Sequence, residues 1–339
     1  MPRGNNSPQD RIILNNMTPY VALNRAELSW QILFALMISF FVANVWMTRA
    51  TNPENVVAQE RSLYRDVFIT ENNGVRCLQF ERVTRLKQSC VDIAAPQRLL
   101  LDYARATLLA SAMIASPNRA LFLGLGSGSI PDAFLRTFPE MKATVVEIDD
   151  AVLRAARLHF NFPVDSSRTS VYVGDARVFT HRAIMSSSKY DVIVLDVFDE
   201  NHIPEHLMTV EFMKELSALL SLDGVLVINT FSPLALYEMQ VATVRAIFPK
   251  VFMYQSAVVP AFTKQAASRV LFAQGASDQT STQIIQHAEV LAPALREVAV
   301  DVHLLLALTT VAETARGRTV LTDKISGANA RLWQETQTR

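Results

Sequence analysis

Two carboxylates follow directly on an apolar run in "YDVIVLDVFDENHIPEH", residues 190 to 206. Tyr190 through Leu195 read as a strand buried on both faces of a parallel sheet. Asp196 and Asp199 come next, without a basic residue beside them. In a sheet of parallel strands, ligands bind beyond the carboxyl ends, so acids in this place have a cleft to face. Three earlier strand-like runs end in the same way, in residues with chemistry to offer.

The first run, "RALFLG", leads into "GLGSGS", with Gly124, Gly126, Ser127 and Gly128. Glycines here let the chain turn tightly and approach a ligand, and the following helix presents its N-terminal amides. A dinucleotide fingerprint would want glycine at position 129, where Ser129 stands; the GxGxG spacing fits adenosyl-sulfonium binders better. By itself the loop could also be a structural turn. The second run ends in "VVEIDD", where Glu147 lies 23 residues beyond Gly124. A carboxylate there can accept both ribose hydroxyls, while Asp149 and Asp150 suit the N-terminus of the next helix. The third run is followed by "GDAR". Asp175 suits a hydrogen bond to an adenine amino group, with the Ala176 amide available to a ring nitrogen, or it caps a helix. Four such points in order make a site for adenosine plus a second group.

Strands and helices must alternate to bring these points together. "IPDAFLRTF", "DAVLRAARLHF", "ARVFTHRAIM" and "TVEFMKELSALL" read as helices between the strand runs "RALFLG", "ATVVEI", "TSVYV", "YDVIVLD" and "GVLVINT". The fold expected is α/β, a doubly wound, Rossmann-like domain of the class I methyltransferase type over residues 96–275. The late runs "VFMYQSAVV" and "SRVLFAQ" would close its sheet as an antiparallel edge. A small N-terminal β unit over 56–95 precedes it, with a hairpin turn at Asn72-Asn73-Gly74, and a helical stretch runs from about Pro96 to Ala115. A helical tail over 276–339 follows.

Composition narrows the function classes. Lys plus Arg and Asp plus Glu both number 32, so no global basic field draws in nucleic acid. Cys77 and Cys90 make neither a disulfide framework nor a CxxC pair, and read as two reduced thiols of a cytosolic domain. His202 and His206 have zinc-like spacing, but Pro204 lies between them and no third ligand is evident, so no metal is expected.

Residues 1–27 read as a flexible tail and residues 28–48 as a transmembrane helix. Leu28 to Met47 approaches the ~20 residues that a bilayer core requires, with Trp30 and Trp46 placed like interfacial anchors. The competing reading is an apolar helix packed on the domain or in a dimer interface. A cleaved signal peptide fits less well, because the apolar run starts late and Arg49 sits where small residues would be wanted. Arg residues flank both ends too evenly to orient the helix.

From about Ser62 to Ser232 these motifs resemble the spermidine synthase (polyamine aminopropyltransferase) family. "SLYRDVFITENNGVRCLQFE", "ALFLGLGSGS", "VVEIDD", "GDAR", "YDVIVLDVFD" and "LDGVLVINTFS" follow the family's order. "QSCVDI", "IPEHLMTVEF" and "LTDKISGAN" look like its bacterial spermidine synthase-like branch, often attached to membrane segments. The resemblance implies decarboxylated S-adenosylmethionine as co-substrate, a polyamine such as putrescine as acceptor, a homodimer, and no metal. It implies that Gly124 to Gly128 hold the sulfonium tail, Glu147 the ribose, and Asp175 and Ala176 the adenine. Asp196 would be the base, with Asp199, Tyr64, Gln88 and Tyr103 binding the amine. The catalytic domain would face the cytoplasm, where the nucleoside is.

Three departures bear on the substrate. Ser127 stands where the family usually carries an aspartate, which makes ordinary S-adenosylmethionine more admissible. "DYAR" replaces the substrate motif near Tyr103, and Arg105 would repel a polycation. "ENHIPEH" replaces the loop after the aspartates. Aminopropyl transfer is therefore weighed against methyl transfer, and against a non-catalytic module that binds an adenosyl nucleoside or a polyamine.

Overall fold

The computed structural model describes residues 55–82, 88–164, 166–198, 202–255, 266–275, 280–313 and 318–325. The chain divides into two units, Met1–Pro53 and Glu54–Arg339. The expected tail and transmembrane helix lie outside the described residues. Among the described residues, no helix is long and apolar enough to cross a membrane.

The second unit begins with an antiparallel sheet in sequential order: β1 (Asn55–Glu60), β2 (Val67–Asn72), β3 (Val75–Gln79) and β4 (Ser89–Asp92). Asn73 and Gly74 link β2 to β3 with φ of 50° and 77°. Two successive residues in the left-handed region make the tight turn whose twist matches the strands, and Asn and Gly tolerate it best. In the β3–β4 pairing Cys77 stands directly opposite Cys90, with Cα atoms 4.1 Å apart, and the two form a disulfide. This corrects the expectation of two reduced thiols. Cross-strand register brought the sulfurs together, and spacing along the chain carries no trace of it.

The larger sheet has eight strands in the order β12-β10-β11-β9-β8-β5-β6-β7. Five run parallel: β5 (Arg119–Leu123), β6 (Lys142–Glu147), β7 (Thr169–Val173), β8 (Tyr190–Leu195) and β9 (Leu220–Ser232). Successive residues along them alternate between two cores. Phe122, Val194 and Val227 enter one, while Leu121, Ile193 and Leu226 enter the other. A strand covered on both faces has no polar side, which is why these segments read as unbroken apolar runs.

Between strands lie α1 (Asp102–Thr107), α2 (Ser129–Thr137), α3 (Asp150–Phe160), α4 (Ala176–Met185), α5 (Val210–Leu219) and α6 (Leu234–Arg245). The expected helix from Pro96 starts later, at Asp102, and tightens into a 3₁₀ turn over Leu108–Met113. Two later strands, β10 (Lys250–Gln255) and β11 (Ala267–Gln274), add antiparallel to the sheet, and β11 lies against β9. The outer strand on this side is neither of them. After α7 (Ser281–Glu297) and α8 (Val302–Ala307), β12 (Thr309–Val311) pairs with β10, so the C-terminal segment is not wholly helical.

The fold predicts that unreduced protein yields a Cys77–Cys90 cross-linked peptide by mass spectrometry. Cys77→Ser should lower unfolding stability by about 3 kcal/mol, the order expected for closing a loop of this length. Free thiols at both positions in unreduced, folded protein would contradict the pairing.

Candidate active site

Strand order reverses around β5, which has β6 on one side and β8 on the other. Such a reversal opens a crevice beyond the strand tips, because the connections on either side leave in opposite directions. Hydrogen bonds carry the ladders past the strand ends: the Gly124 amide donates to the Val146 carbonyl and the Asp196 amide to the Leu123 carbonyl, at 2.8 and 2.9 Å. Gly124 has φ +97°, and a Cβ on it would lie 2.1 Å from the Asp196 carbonyl oxygen. No other residue fits there. Gly128, at φ +81°, caps α2 against the Phe162 ring, where a Cβ would come within 2.5 Å.

Glu147 ends β6 and is 8% exposed. Its Oε2 accepts from the Leu125 amide and its Oε1 from the Asp149 amide, both at 3.0 Å. Burial outweighs these amides and pushes its carboxyl group up to about 7. Each oxygen keeps a further lone pair for a ligand hydroxyl. Asp149 caps α3 by accepting from the Ala151 amide, and its other oxygen accepts from the Ser62 hydroxyl at 2.5 Å. Asp150 pairs with Arg154 in the first turn.

Asp175 follows β7 as the N-cap of α4, accepting from the Arg177 and Val178 amides at 2.9 Å. The capping role left open by the sequence is therefore observed, and Ala176 is the first residue of the helix. The second Asp175 oxygen meets His206 Nε2 at 3.0 Å. Burial pushes Asp175 up, but the Val178 amide, His206 and the Arg177 amide outweigh it and hold the carboxyl below its usual value. Among the described residues, no group of three or more His, Cys, Asp or Glu could hold a metal ion.

Asp196 follows β8 directly. Its carboxyl is set deep enough that burial lifts it to about 6, against a lowering hydrogen bond from Asn229. Asn229 Nδ2 donates to Asp196 Oδ1 at 2.9 Å. Tyr103 of α1 faces the same carboxylate: burial first, then the Asp196 charge, push its hydroxyl well above the ordinary tyrosine value. That hydroxyl donates to the Gln88 carbonyl at 2.7 Å. Arg105 is paired with Asp102, which offsets the charge expected to repel a cation.

Ser127 is 2% exposed, and its hydroxyl and amide both engage Ser89 Oγ, at 2.6 and 3.1 Å. β4 thus holds the glycine loop from below. Tyr64 lies on the β1–β2 connection with its residue 62% exposed, and its amide donates to Ser62 Oγ. Asp199 lies outside the described residues. The structure brings the glycine loop, Glu147, Asp196, Gln88 and Tyr103 together, with Asp175 at the next strand tip. Sequence reasoning missed Ser89, the contact of His206 with Asp175, and Asn229. For Asn229 a signal existed: it is polar at the end of the apolar run "GVLVI", a place equivalent to Asp196 after "YDVIVL".

A family model described as the spermine/spermidine synthase domain matches residues 109–281. The polyamine aminopropyltransferase of Vibrio vulnificus is 36% identical over 277 residues, covering 81% of this chain and 90% of its own. In fold, the chain is similar to a probable spermidine synthase from Corynebacterium glutamicum, with TM-score 0.61 and 20% identity over 79% of this chain and 96% of the other. It is also similar in fold to a spermidine synthase in complex with the transition-state analogue AdoDATO, with TM-score 0.53 and 16% identity over 84% and 89% of the two chains.

Gly124→Ala should destabilise the protein by on the order of 2 kcal/mol or more, since both the backbone angle and the Asp196 carbonyl oppose a Cβ. Thermal unfolding checks this; an unchanged Tm would show that the loop can leave the Asp196 carbonyl at no cost.

Proposed function

Because the chain belongs to the spermine/spermidine synthase family, we propose that it transfers the aminopropyl group of decarboxylated S-adenosylmethionine to a polyamine such as putrescine, releasing methylthioadenosine. The observation that carries this reading is the half-buried Asp196 carboxylate at the tip of β8, beside a glycine loop and the buried acid Glu147. Gly124, Gly126, Ser127 and Gly128 border the sulfonium tail, and Glu147 accepts from the ribose hydroxyls. Asp175 and the Ala176 amide meet the adenine. Asp199 anchors the cationic amine, with Tyr64, Gln88 and Tyr103 lining its path.

The reaction needs an uncharged nitrogen, and a polyamine ammonium has a pKa of about 10. An ordinary aspartate near 3.9 would have to accept that proton across roughly six units, about 8 kcal/mol uphill. Lifting Asp196 to about 6 removes roughly two of those units, about 3 kcal/mol. Desolvating the ammonium in the cleft lowers its own pKa and narrows the gap further. Once Asp196 has the proton, the nitrogen lone pair attacks the aminopropyl carbon next to sulfur. The carbon–sulfur bond breaks with its electrons going to sulfur.

A second reading rests on one observation. Ser127 and Ser89 put an uncharged hydroxyl pair at the loop position where an acid would repel a carboxylate, so ordinary S-adenosylmethionine and methyl transfer stay in play. The membrane tether, the cytoplasmic placement of the catalytic domain and a homodimer complete the proposed reading. The disulfide counts against the cytoplasmic part of that reading, because thiols in the cytosol are ordinarily kept reduced.

Purified protein incubated with decarboxylated S-adenosylmethionine and putrescine should form methylthioadenosine and spermidine; no methylthioadenosine with any amine would sink the proposal. Asp196→Asn should lower kcat by about 10²–10⁴-fold, the range of a lost general base, with nucleoside affinity nearly unchanged. The base form exists above the Asp196 pKa, so kcat should fall as pH drops through about 6. Deleting residues 1–50 should move the protein from the membrane fraction to the supernatant. Full-length protein in the supernatant without detergent would refute the tether.

A further inference from the structure

Asp196 and Asn229 occupy equivalent places on neighbouring parallel strands. Leu195 of β8 pairs with Ile228 of β9, so the next residue on each strand stands beside the other at the sheet's carboxyl end. Asn229 is 4% exposed, with Nδ2 on Asp196 Oδ1 at 2.9 Å. An ionised carboxylate can only accept, so the amide must turn its nitrogen toward Asp196 and its oxygen away. That oxygen, Asn229 Oδ1, is buried and has no hydrogen-bond partner among the described residues. A buried carbonyl left without a donor is destabilising, and such atoms normally find one. Oδ1 and Nδ2 sit on the same carbon, so a group that donates to Oδ1 from the side of that N–H lies next to Asp196.

We propose that Asn229 is a further catalytic residue: its Nδ2 holds Asp196 Oδ1, and its Oδ1 accepts an N–H of the attacking amine. The proposal rests on the aminopropyl-transfer reading. The incoming ammonium carries three N–H bonds on the attacking nitrogen. One proton passes to Asp196, one N–H is held by Asn229 Oδ1, and the freed lone pair is thereby directed at the carbon beside sulfur. The nitrogen–carbon bond forms, the carbon–sulfur pair leaves with sulfur, and the product nitrogen carries the positive charge. An amide suits this place better than a third acid would. It accepts a hydrogen bond without competing for the proton, and adds no negative charge to drive Asp196 further up.

Among the described residues, two other groups stand against Asp196, and neither offers an amide. Tyr103, the titratable side chain facing it from α1, has its hydroxyl committed to the Gln88 carbonyl. The loop after β5 approaches through Gly124, which has no side chain to offer. A donor lost from Asn229 is therefore not replaced by either neighbour.

The test compares full-length wild type with Asn229→Leu, close in size but without hydrogen bonds, and with Asn229→Gln, which restores the amide. For Asn229→Leu we expect kcat about 100-fold lower and amine KM about 10-fold higher. Nucleoside Kd should stay within about twofold. The acid limb of kcat should move to higher pH, because the donor that favours the charged base is gone. Asn229→Gln should recover at least tenfold of the kcat lost. Titration of ¹³C-labelled aspartate carboxyls by NMR, which needs no turnover, should show the same upward move for Asp196. If Asn229→Leu does not fold, Asn229→Asp decides: a second acid should move the limb up further.

An active wild type with unchanged kcat and acid limb in Asn229→Leu would overturn the proposal. So would a lower kcat with an unmoved limb and an unmoved Asp196 titration, since that is the mark of a structural role. A wild type inactive with every amine would instead remove the functional reading, and the catalytic assignment with it. The NMR titration would still report whether Asn229 holds Asp196.

Discussion

The contact between Gly124 and the Asp196 main chain is the constraint on which the site depends. At this point two parallel strands end side by side, and the chain leaving β5 crosses the chain leaving β8 with 2.1 Å between a hypothetical Cβ and a carbonyl oxygen. A residue with a side chain would push the loop off the strand tip. Without one, the loop lies against β8, its Leu125 amide reaches Glu147 on β6, and the three tips form one floor. The glycine does more than permit a turn: it sets the separation between the glycine loop and the proposed base.

Burial then differentiates the acids. Glu147 and Asp196 sit low between strand tips, and the loss of water around them lifts both toward neutrality, to about 7 and about 6. Asp175 stands at the start of a helix, where two amides and His206 favour its charged form and hold it down. The three carboxyl groups differ little in intrinsic acidity, so environment assigns their states. Of the three, Asp196 is the one whose described hydrogen bond comes from a side chain without any backbone amide beside it.

The N-terminal sheet serves as a buttress. Ser89 of β4 bonds the Ser127 amide and hydroxyl, Gln88 takes the Tyr103 hydroxyl, and Ser62 reaches Asp149 beside Glu147. Glu60 of β1 and Arg76 of β3 meet Arg154 and the His159 carbonyl of α3. The Cys77–Cys90 bridge ties β4 to β3 only one residue from Ser89, so the strand that supports the glycine loop is itself covalently held.

The alternation of strand and helix, the glycine loop, Glu147 and Asp196 were all legible in the chain. Parallel strands covered on both faces must be continuous apolar runs, and the residues just beyond them are the ones a crevice exposes. Other local rules identified the turn at Asn73-Gly74, from the tolerance of Asn and Gly for positive φ, and the placing of Asp149 at a helix N-terminus. What could not be read were the facts that depend on which strand lies beside which. Cys77 meets Cys90, Ser89 meets Ser127 and β12 borders β10 only through pairings between one segment and another. Asp175 could have been a ligand or a cap, and the packing of His206 and α4 settled how its oxygens are used in this structure. Asn229 lies in the run "LDGVLVINTFS", but nothing local sets it against Asp196; that follows from β9 pairing with β8 in the register that puts residue 229 beside residue 196. Local sequence determines where chemistry can emerge from a strand, because burial patterns are local. Tertiary pairing decided which of those groups touch, because register is a property of two strands and is written in neither one.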